Sequence, residues 1–243
     1  VLFGIFAVLP VGIVLWLSLH KYNQLAPVAP FIGMRNFEYA FTNDALFINA
    51  LTVTLKYALV AVPLNLLIAL PIAMGLNQVT RLRAVFRSAF FLPTVASAVA
   101  VSLIWRFVYE PQTGALNAIL ATFGLPQPSW LNDPSTALWA VLITAVWQDL
   151  GYNILILLAG LQTIPQDYYE AASLDGASYW MQLRKITLPL LMPALTITTV
   201  LNTIHGLKTF DLIFALTGGG PGSLTEVLNI AVFHEFSTGR YGM

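Results

Sequence analysis

The sequence contains no cysteine, so disulfide bonds and thiolate metal sites are excluded. Charged residues are also scarce: they make up 9% of the chain, whereas a soluble domain carries about a quarter. The formal net charge is zero, which gives no case for nucleic-acid binding. Hydrophobic residues, in contrast, make up 58% of the chain. This composition predicts a membrane protein that consists mainly of membrane spans and short connections.

Motifs for catalysis are missing as well. There is no Walker A sequence and no Gly-x-Ser-x-Gly elbow, and the three histidines (His20, His205 and His234) are far apart in the sequence. We therefore expect this chain to have no catalytic residue, no metal site and no bound cofactor. A membrane-embedded enzyme is the hypothesis that the sequence supports least.

Five apolar stretches are predicted to cross the membrane as helices, because about 20 residues span a hydrocarbon core of ~30 Å. The first runs directly into a polar loop at residues 20–48, without the cleavage site of a signal peptide. Prolines inside the second span are tolerated in membrane helices. The predicted fold is therefore an all-α, polytopic helical membrane protein with one transmembrane domain, 1–243. The predicted spans are 1–19, 49–76, 88–109, 135–161 and 188–216.

Basic residues indicate the orientation of these spans. Arg81, Arg83 and Arg87 follow the second span, and Arg184 and Lys185 precede the fifth. Excess Lys and Arg mark cytoplasmic loops, so both loops are predicted to face the cytoplasm. Residues 110–134 and the glycine-rich Gly218–Gly222 then lie outside.

Further boundaries follow from local signals. Asp133-Pro134 is typical of a helix cap followed by the first helical residue. Residues 225–237 are predicted to form a short interfacial helix. Because the chain begins inside an apolar run without an initiator Met and stops at Tyr241-Gly242-Met243, we expect a fragment. The full subunit would then add a cytoplasmic N-terminal segment and a sixth span.

A polar island at residues 162–188 separates the last two spans. Pro165 can open a short helix there, and Asp167 and Glu170 then lie in the first turns, where the helix dipole favours negative charge. Asp175-Gly176 ends that helix, because glycine tolerates a left-handed C-terminal turn. The small side chains of Ala171 and Ala172 keep one face low, so that another protein can come close.

This pattern resembles the signature loop of the permeases of binding-protein-dependent ABC importers. The matching sequence is Glu-Ala-Ala, then Gly four residues later, then Ile-x-Leu-Pro. Asp-Gly-Ala at 175–177, and the later Phe-Asp-Leu-Ile at 210–213 with Thr-Gly-Gly-Gly-Pro-Gly at 217–222, resemble the sugar-importing branch. Leu183 departs from the Phe of many relatives. The resemblance covers nearly the whole chain, and its ATPase-coupling positions are Glu170, Ala171, Ala172, Asp175, Gly176, Ile186, Leu188 and Pro189.

The resemblance also implies a function and a set of partners. Residues 162–188 would be a cytoplasmic coupling loop that docks into an ATPase subunit. The expected complex contains a second, homologous permease, two cytoplasmic ATPase subunits that use ATP-Mg, and an extracytoplasmic substrate-binding protein. The chain itself would lie in the lipid bilayer of a prokaryotic inner membrane as a multi-pass protein and translocate a carbohydrate. It would be no enzyme, since its partners hydrolyse the ATP.

Two polar clusters inside the spans are candidates for the substrate path, because polar groups in a membrane are costly. Those in the fifth span fall at i, i+3, i+4 and i+7, which is one helix face. Amide, carboxylate and hydroxyl groups beside an aromatic ring suit a hydroxylated substrate. By the resemblance, the two clusters align without gaps onto the sugar-holding positions of the maltose importer's larger permease subunit. The candidates are Gln148, Asp149 and Tyr152 in the fourth span, and Asn202, His205, Gly206 and Thr209 in the fifth.

Structural interpretations of the same residues stay open. Asp149 could pair with Lys208, or Lys208 with Asp211, and His205 could form an interhelical hydrogen bond. A glycerol-phosphate importer would use Lys208 in the cavity. An ion-coupled secondary transporter would use Asp149, Lys208 or Asp211 as a relay, but the inverted repeats of that class are not found. The glycine-rich segment is predicted to be an external turn, which in relatives faces the binding protein, and not a phosphate loop.

Overall fold

The structure is a computed structural model that describes residues 2–21, 29–78 and 83–237, with the backbone alone for Arg83 and Ala84. Within those ranges the regular secondary structure is helical, and the single strand-like pairing is a bridge between His20 and Phe31. The predicted all-α class is confirmed. The helices are α1 (Gly4–Ser18), α2 (Arg35–Thr42), α3 (Ala45–Gln78), α4 (Arg83–Val95), α5 (Ala98–Val108), α6 (Ala115–Thr122), α7 (Ala137–Gln162), α8 (Gln166–Leu174), α9 (Tyr179–Leu207), α10 (Asp211–Thr217) and α11 (Leu228–Ser237).

Three of these helices are long and apolar enough to cross a membrane by themselves: α3 with 34 residues, α7 with 26 and α9 with 29. They correspond to the predicted second, fourth and fifth spans, although the predicted bounds of the fifth were wrong. A π-helical turn at Leu183–Thr187 continues α9 back to Tyr179. At the other end, the backbone of Phe210 (φ −149°, ψ −65°) leaves the helical region, so α10 is a separate helix.

The predicted third span is not one straight helix. Helices α4 and α5 meet at an angle of 101° across a short break. Pro93 lies in the last turn of α4, and Ser97 caps α5 by accepting a hydrogen bond (3.2 Å) from the N–H of Ala100. A capping residue with extended backbone starts a new helix direction, which explains the bend.

The number of spans therefore depends on two elements. The bent α4–α5 pair counts as a fourth span if it crosses as one unit. The predicted first span corresponds to α1, which is apolar but shorter than the other spans. Leu59, Leu67 and Leu92 are each at least 70% exposed on the outer faces of α3 and α4, as expected of side chains that contact lipid.

Two predicted helix starts are corrected by the structure. Helix α7 begins at Ala137 with Thr136 as its N-cap, and not at Asp133-Pro134. The Asp133 carboxylate instead accepts hydrogen bonds from the N–H (2.8 Å) and hydroxyl (2.7 Å) of Ser135, and thus caps the preceding turn. The predicted helix at 225–237 is confirmed as α11, which starts at Leu228.

Helix association in lipid depends on van der Waals packing and interhelical hydrogen bonds. Small residues at the helix crossings allow the close approach that this packing needs. A Cβ atom on Gly160 of α7 would lie 2.6 Å from the Cβ of Ala194 on α9. On Gly151 it would lie within 3 Å of the backbone of Phe90 and Phe91 on α4. Two apolar clusters surround these crossings, one near each end of the α3–α7–α9 bundle.

A buried amide network joins all three long helices near the middle of the bundle. The amide of Asn153 on α7 donates to the side-chain oxygens of Asn65 on α3 (3.1 Å) and Asn202 on α9 (3.2 Å). Asn202 donates back to Asn153 (2.7 Å). None of the three side chains is more than 9% exposed. Because every helix of the bundle contributes one amide, this network fixes their relative positions.

Candidate functional site

The short helix α8 stands between α7 and α9 at the end of the bundle where Arg184 and Lys185 lie. Its nine residues begin after Pro165, which is the N-cap (φ −61°, ψ 138°). The sequence had indicated that Pro165 would be the first helical residue. Only Tyr169 and Ala172 are partly buried, and the rest of the helix is exposed. Leu174 is 91% exposed, which leaves a large apolar side chain bare at the end of the helix.

The end of α8 is held by the chain that follows it. The N–H of Ala177 donates to the carbonyl of Ala172 (2.9 Å), and the N–H of Gly176 to that of Ser173 (3.1 Å). These two bonds form a Schellman motif around Gly176, whose φ of +78° is the left-handed conformation predicted for it.

Side chains connect α8 to the start of α9. The hydroxyl groups of Tyr169 and Thr187 lie 3.0 Å apart, and the amide of Gln182 donates to the hydroxyl of Ser173 (3.0 Å). Thr187 is buried, so its contact with Tyr169 lies inside the packed end of the bundle. Helix α8 is therefore coupled to the first turns of α9.

The structure divides the predicted coupling residues into two groups. Those on α8 and its end face outward, apart from the partly buried Ala172. Ile186, Leu188 and Pro189 instead lie on α9, where Ile186 packs against the inner apolar cluster. A cleft of about 690 Å³ beside them is lined by Met74 and Asn77 of α3 and by Glu170 and Leu174 of α8, among others. Of the basic group predicted to set the topology, Arg87 is exposed on α4, Arg83 is described by its backbone alone, and Arg81 lies outside the described residues.

A second cavity, of about 470 Å³, lies among α3, α7, α9 and the α4–α5 bend; we call it the central cavity. It brings together five of the seven predicted substrate-path residues. Lys208 and Asp211 also line it. The predicted residues in its wall are Gln148, Asp149, Tyr152, His205 and Thr209.

A contact between an imidazole and a carboxylate in the central cavity joins α7 to α9. The Nδ1 atom of His205 lies 3.4 Å from a carboxylate oxygen of Asp149. Among the described residues, no carboxylate lies within 4 Å of the Lys208 ammonium, so neither predicted lysine pairing is present. The interhelical contact expected for His205 is observed, and Asp149 is its partner.

Asn202 and Gly206 are not part of the cavity wall. The side chain of Asn202 forms hydrogen bonds within the buried amide network. Gly206 packs against α3, where an added Cβ would lie 3.4 Å from the Cβ of Ala58. Both belong to the contact between α9 and its neighbours. Both residues lie on the helix face that was predicted to meet the substrate, but they contact other helices there.

Two hydroxyl-bearing residues that line the cavity were missed by the sequence analysis. Tyr57 of α3 lies in a strongly apolar run, where one aromatic side chain gives no signal of its own. Thr94 of α4 donates to the carbonyl of Gln148 (2.8 Å), and the amide of Gln148 donates to the carbonyl of Ala96 (3.2 Å). These bonds hold the α4–α5 bend against α7, so the bend forms part of the cavity wall.

The glycine-rich segment lies at the opposite end of the bundle from α8, and it is a turn, as predicted. Gly218 and Gly219 have φ values of +61° and +94°, which only glycine adopts without strain. The hydroxyl of Thr225 donates to the carbonyl of Gly220 (2.6 Å), and the amide of Asn49 donates to that of Ser223 (2.7 Å). The turn is thereby fixed onto the outer end of α3.

Comparison with known proteins gives consistent matches. Residues 65–236 match the family described as "binding-protein-dependent transport system inner membrane component". The chain is 37% identical over 239 residues to the trehalose/maltose transport system permease protein MalF of Thermococcus litoralis, covering 98% of this chain and 81% of that protein. It is 30% identical over 232 residues to the probable starch degradation products transport system permease protein AmyD of Thermoanaerobacterium thermosulfurigenes, covering 94% and 77%.

Among solved structures, the fold matches a bacterial ABC transporter involved in the import of the acidic polysaccharide alginate. The TM-score is 0.82 at 25% sequence identity, and the match covers 98% of this chain and 81% of that chain.

Proposed function

The chain belongs to the family of binding-protein-dependent transport system inner membrane components, and we propose that it is the permease subunit of an ATP-driven carbohydrate importer. The named relatives support the substrate class, since they are assigned to trehalose and maltose, starch degradation products and alginate. The substrate would be delivered by an extracytoplasmic binding protein to a complex in a prokaryotic inner membrane. That complex would contain a second, homologous permease and two cytoplasmic ATPase subunits, which bind ATP-Mg.

The observation that carries this proposal is the position of α8 between the two helices that line the central cavity. Helix α7 carries Asp149 and helix α9 carries His205, and α8 connects their inner ends. The exposed Leu174 and Glu170 offer a partner one apolar and one charged contact. A movement of α8 would therefore act on both walls of the cavity at once.

The proposed mechanism is alternating access. Closure of the ATPase dimer would push α8, and the hydrogen bond between Tyr169 and Thr187 would pass that movement to α9. The amide network ties α3, α7 and α9 together, so they would move as one body. Rotation of this body against the second permease would open the central cavity outward.

The lining of the central cavity suits a hydroxylated ligand. Gln148, Asp149 and Thr209 supply an amide, a carboxylate and a hydroxyl, and Tyr152 is exposed as an aromatic platform. A phosphorylated polyol is the second candidate, because Lys208 also lines the cavity without a carboxylate within 4 Å in the described ranges.

Co-purification of the tagged full-length subunit from native membranes tests the proposal. We expect recovery of an ATPase with a Walker A motif, and its loss in Leu174→Arg. Leu125→Arg is the matched control, because Leu125 is also exposed but lies between α6 and α7, remote from α8. Recovery of the subunit alone, with uptake driven by an ion gradient, would overturn the proposal and favour a secondary transporter that uses Asp149 and Lys208.

A further inference from the structure

Two cavities lie along α5 and α10, and the proposed function uses only one of them. The central cavity reaches Ala98 at the start of α5 and Phe210 just before α10. A separate cavity of about 420 Å³, the outer pocket, reaches Arg106 on α5 and Phe214 on α10. At a rise of 1.5 Å per residue, Ala98 and Arg106 are about 12 Å apart along the helix. The outer pocket thus lies one step further towards the extracytoplasmic side.

An aromatic stack lies between the two cavities. The rings of Phe210 and Phe214 have centroids 5.1 Å apart and an interplanar angle of 13°. One ring lines the central cavity and the other lines the outer pocket. An aromatic face attracts the weakly positive C–H groups on the apolar side of a sugar ring, so each ring offers such a contact to a sugar unit in its own cavity.

Polar groups with free hydrogen-bonding capacity line the outer pocket together with Phe214. Arg106 and Glu110 are exposed, and in the described part of the chain neither has an ion-pair partner within 4 Å. The exposed amide of Asn132 has a single long bond, to the hydroxyl of Ser129 (3.4 Å). An amide, a carboxylate and a hydroxyl beside an aromatic ring are the groups that make the central cavity suitable for a sugar, and the outer pocket adds a guanidinium.

The walls of the outer pocket are fixed before any ligand arrives. On one side, the hydroxyl of Thr225 holds the carbonyl of Gly220. On the other, Asn117 donates to the carbonyls of Pro111 (3.1 Å) and Pro128 (3.0 Å) and accepts from the indole of Trp130 (2.8 Å). Preorganised walls reduce the entropy cost of binding, and the volume lies within the usual ligand-pocket range of about 300–1,000 Å³.

We propose that the outer pocket is a second saccharide subsite, and that the transported sugar is therefore an oligosaccharide long enough to contact both cavities. This inference rests on the proposed function. A single hexose is too short to occupy both sites. A protein surface is the less favoured occupant, because the pocket is concave and lies next to the central cavity across the Phe210–Phe214 stack.

The test uses the complete transporter, reconstituted in proteoliposomes with its binding protein. A ladder of neutral and uronate oligosaccharides of one to six units first shows which lengths the binding protein retains. Uptake of the shortest and longest retained sugars is then measured for Arg106→Gln and Asn132→Ala. Gln127→Ala is the control, because Gln127 is exposed in the same connection but does not line the pocket.

For the longest sugar, we expect Arg106→Gln to raise the half-saturating concentration of loaded binding protein about tenfold, the loss of one hydrogen bond to a charged group. The shortest sugar should change less than twofold. Retention of monosaccharides only, or variants that behave like the control, would overturn the proposal. An equal loss for both lengths, together with weaker binding of the unloaded binding protein, would assign the pocket to protein docking and also overturn it. Failure of the proposed function is distinguishable, since no sugar would then be retained or transported.

Discussion

Replacing Asn153 by Leu should destabilise the membrane bundle by about 2 kcal/mol. Asn153 takes part in three interhelical hydrogen bonds, one with Asn65 and two with Asn202. Hydrogen bonds between membrane helices contribute about 0.6 kcal/mol each on average, which gives the total. The free energy of unfolding can be measured by titrating the detergent-solubilised subunit with SDS. Thr203→Val is the matched control, because its hydroxyl bonds only within α9, and it should cost less than about 0.5 kcal/mol.

A double-mutant cycle shows whether the amides act as one network. Asn202→Leu alone removes the two bonds to Asn153 and should cost about 1.2 kcal/mol. The double variant removes the same three bonds as Asn153→Leu, so it should cost about 2 kcal/mol and not the sum of the single effects. Additive costs, or a cost of Asn153→Leu below about 0.5 kcal/mol, would refute the network. A normal unfolding free energy with impaired sugar uptake in Asn202→Leu would restore Asn202 as a substrate contact.

Three further predictions concern other parts of the chain. Gly151→Val should cost about 3 kcal/mol by forcing a side chain against the backbone of Phe90. Gly75→Val should cost far less in the same SDS titration, because no described atom beyond its own helix backbone lies within 4 Å of the added Cβ. Glu170→Lys reverses a charge on the exposed face of α8. It should leave ATP hydrolysis by the reconstituted complex intact but reduce sugar uptake about tenfold or more. Unchanged uptake would count against the coupling role. Hydrogen bonds from Ser135 lower the pKa of Asp133 below its ordinary 3.8. The turn that Asp133 caps should therefore be protected from hydrogen exchange above pH 3.8 and should lose this protection as the pH falls through the lowered pKa. Asp133→Asn should remove the pH dependence.

The long helices could be predicted from the sequence, because a long apolar run is a direct signal of a membrane span. Helices α3 and α7 lie where hydropathy placed them. The α4–α5 bend could not be predicted in the same way. Its apolar content is that of one span, and the break depends on the Ser97 cap and on the contact of Thr94 with α7.

The end of α8 was also predictable, since Asp175-Gly176 is a local signal that acts through the backbone of a few residues. The roles of the polar residues inside the spans were not. A polar side chain in an apolar helix is selected either to contact substrate or to join helices, and sequence periodicity is identical for the two. Asn202 and His205 lie on one face of α9, yet Asn202 bonds to protein amides while His205 lines the central cavity.

The continuity of α9 has a mechanical consequence. Its axis runs about 34 Å from Tyr179 to Asn202, and only about 8 Å further to Leu207. If the body formed by α3, α7 and α9 turns about a point near Asn202, α9 acts as a lever with one arm roughly four times longer than the other. A displacement of several ångströms beside α8 then becomes a shift of about 1 Å around His205. Such a reduction would let a large displacement at the α8 end make a small adjustment at the central cavity.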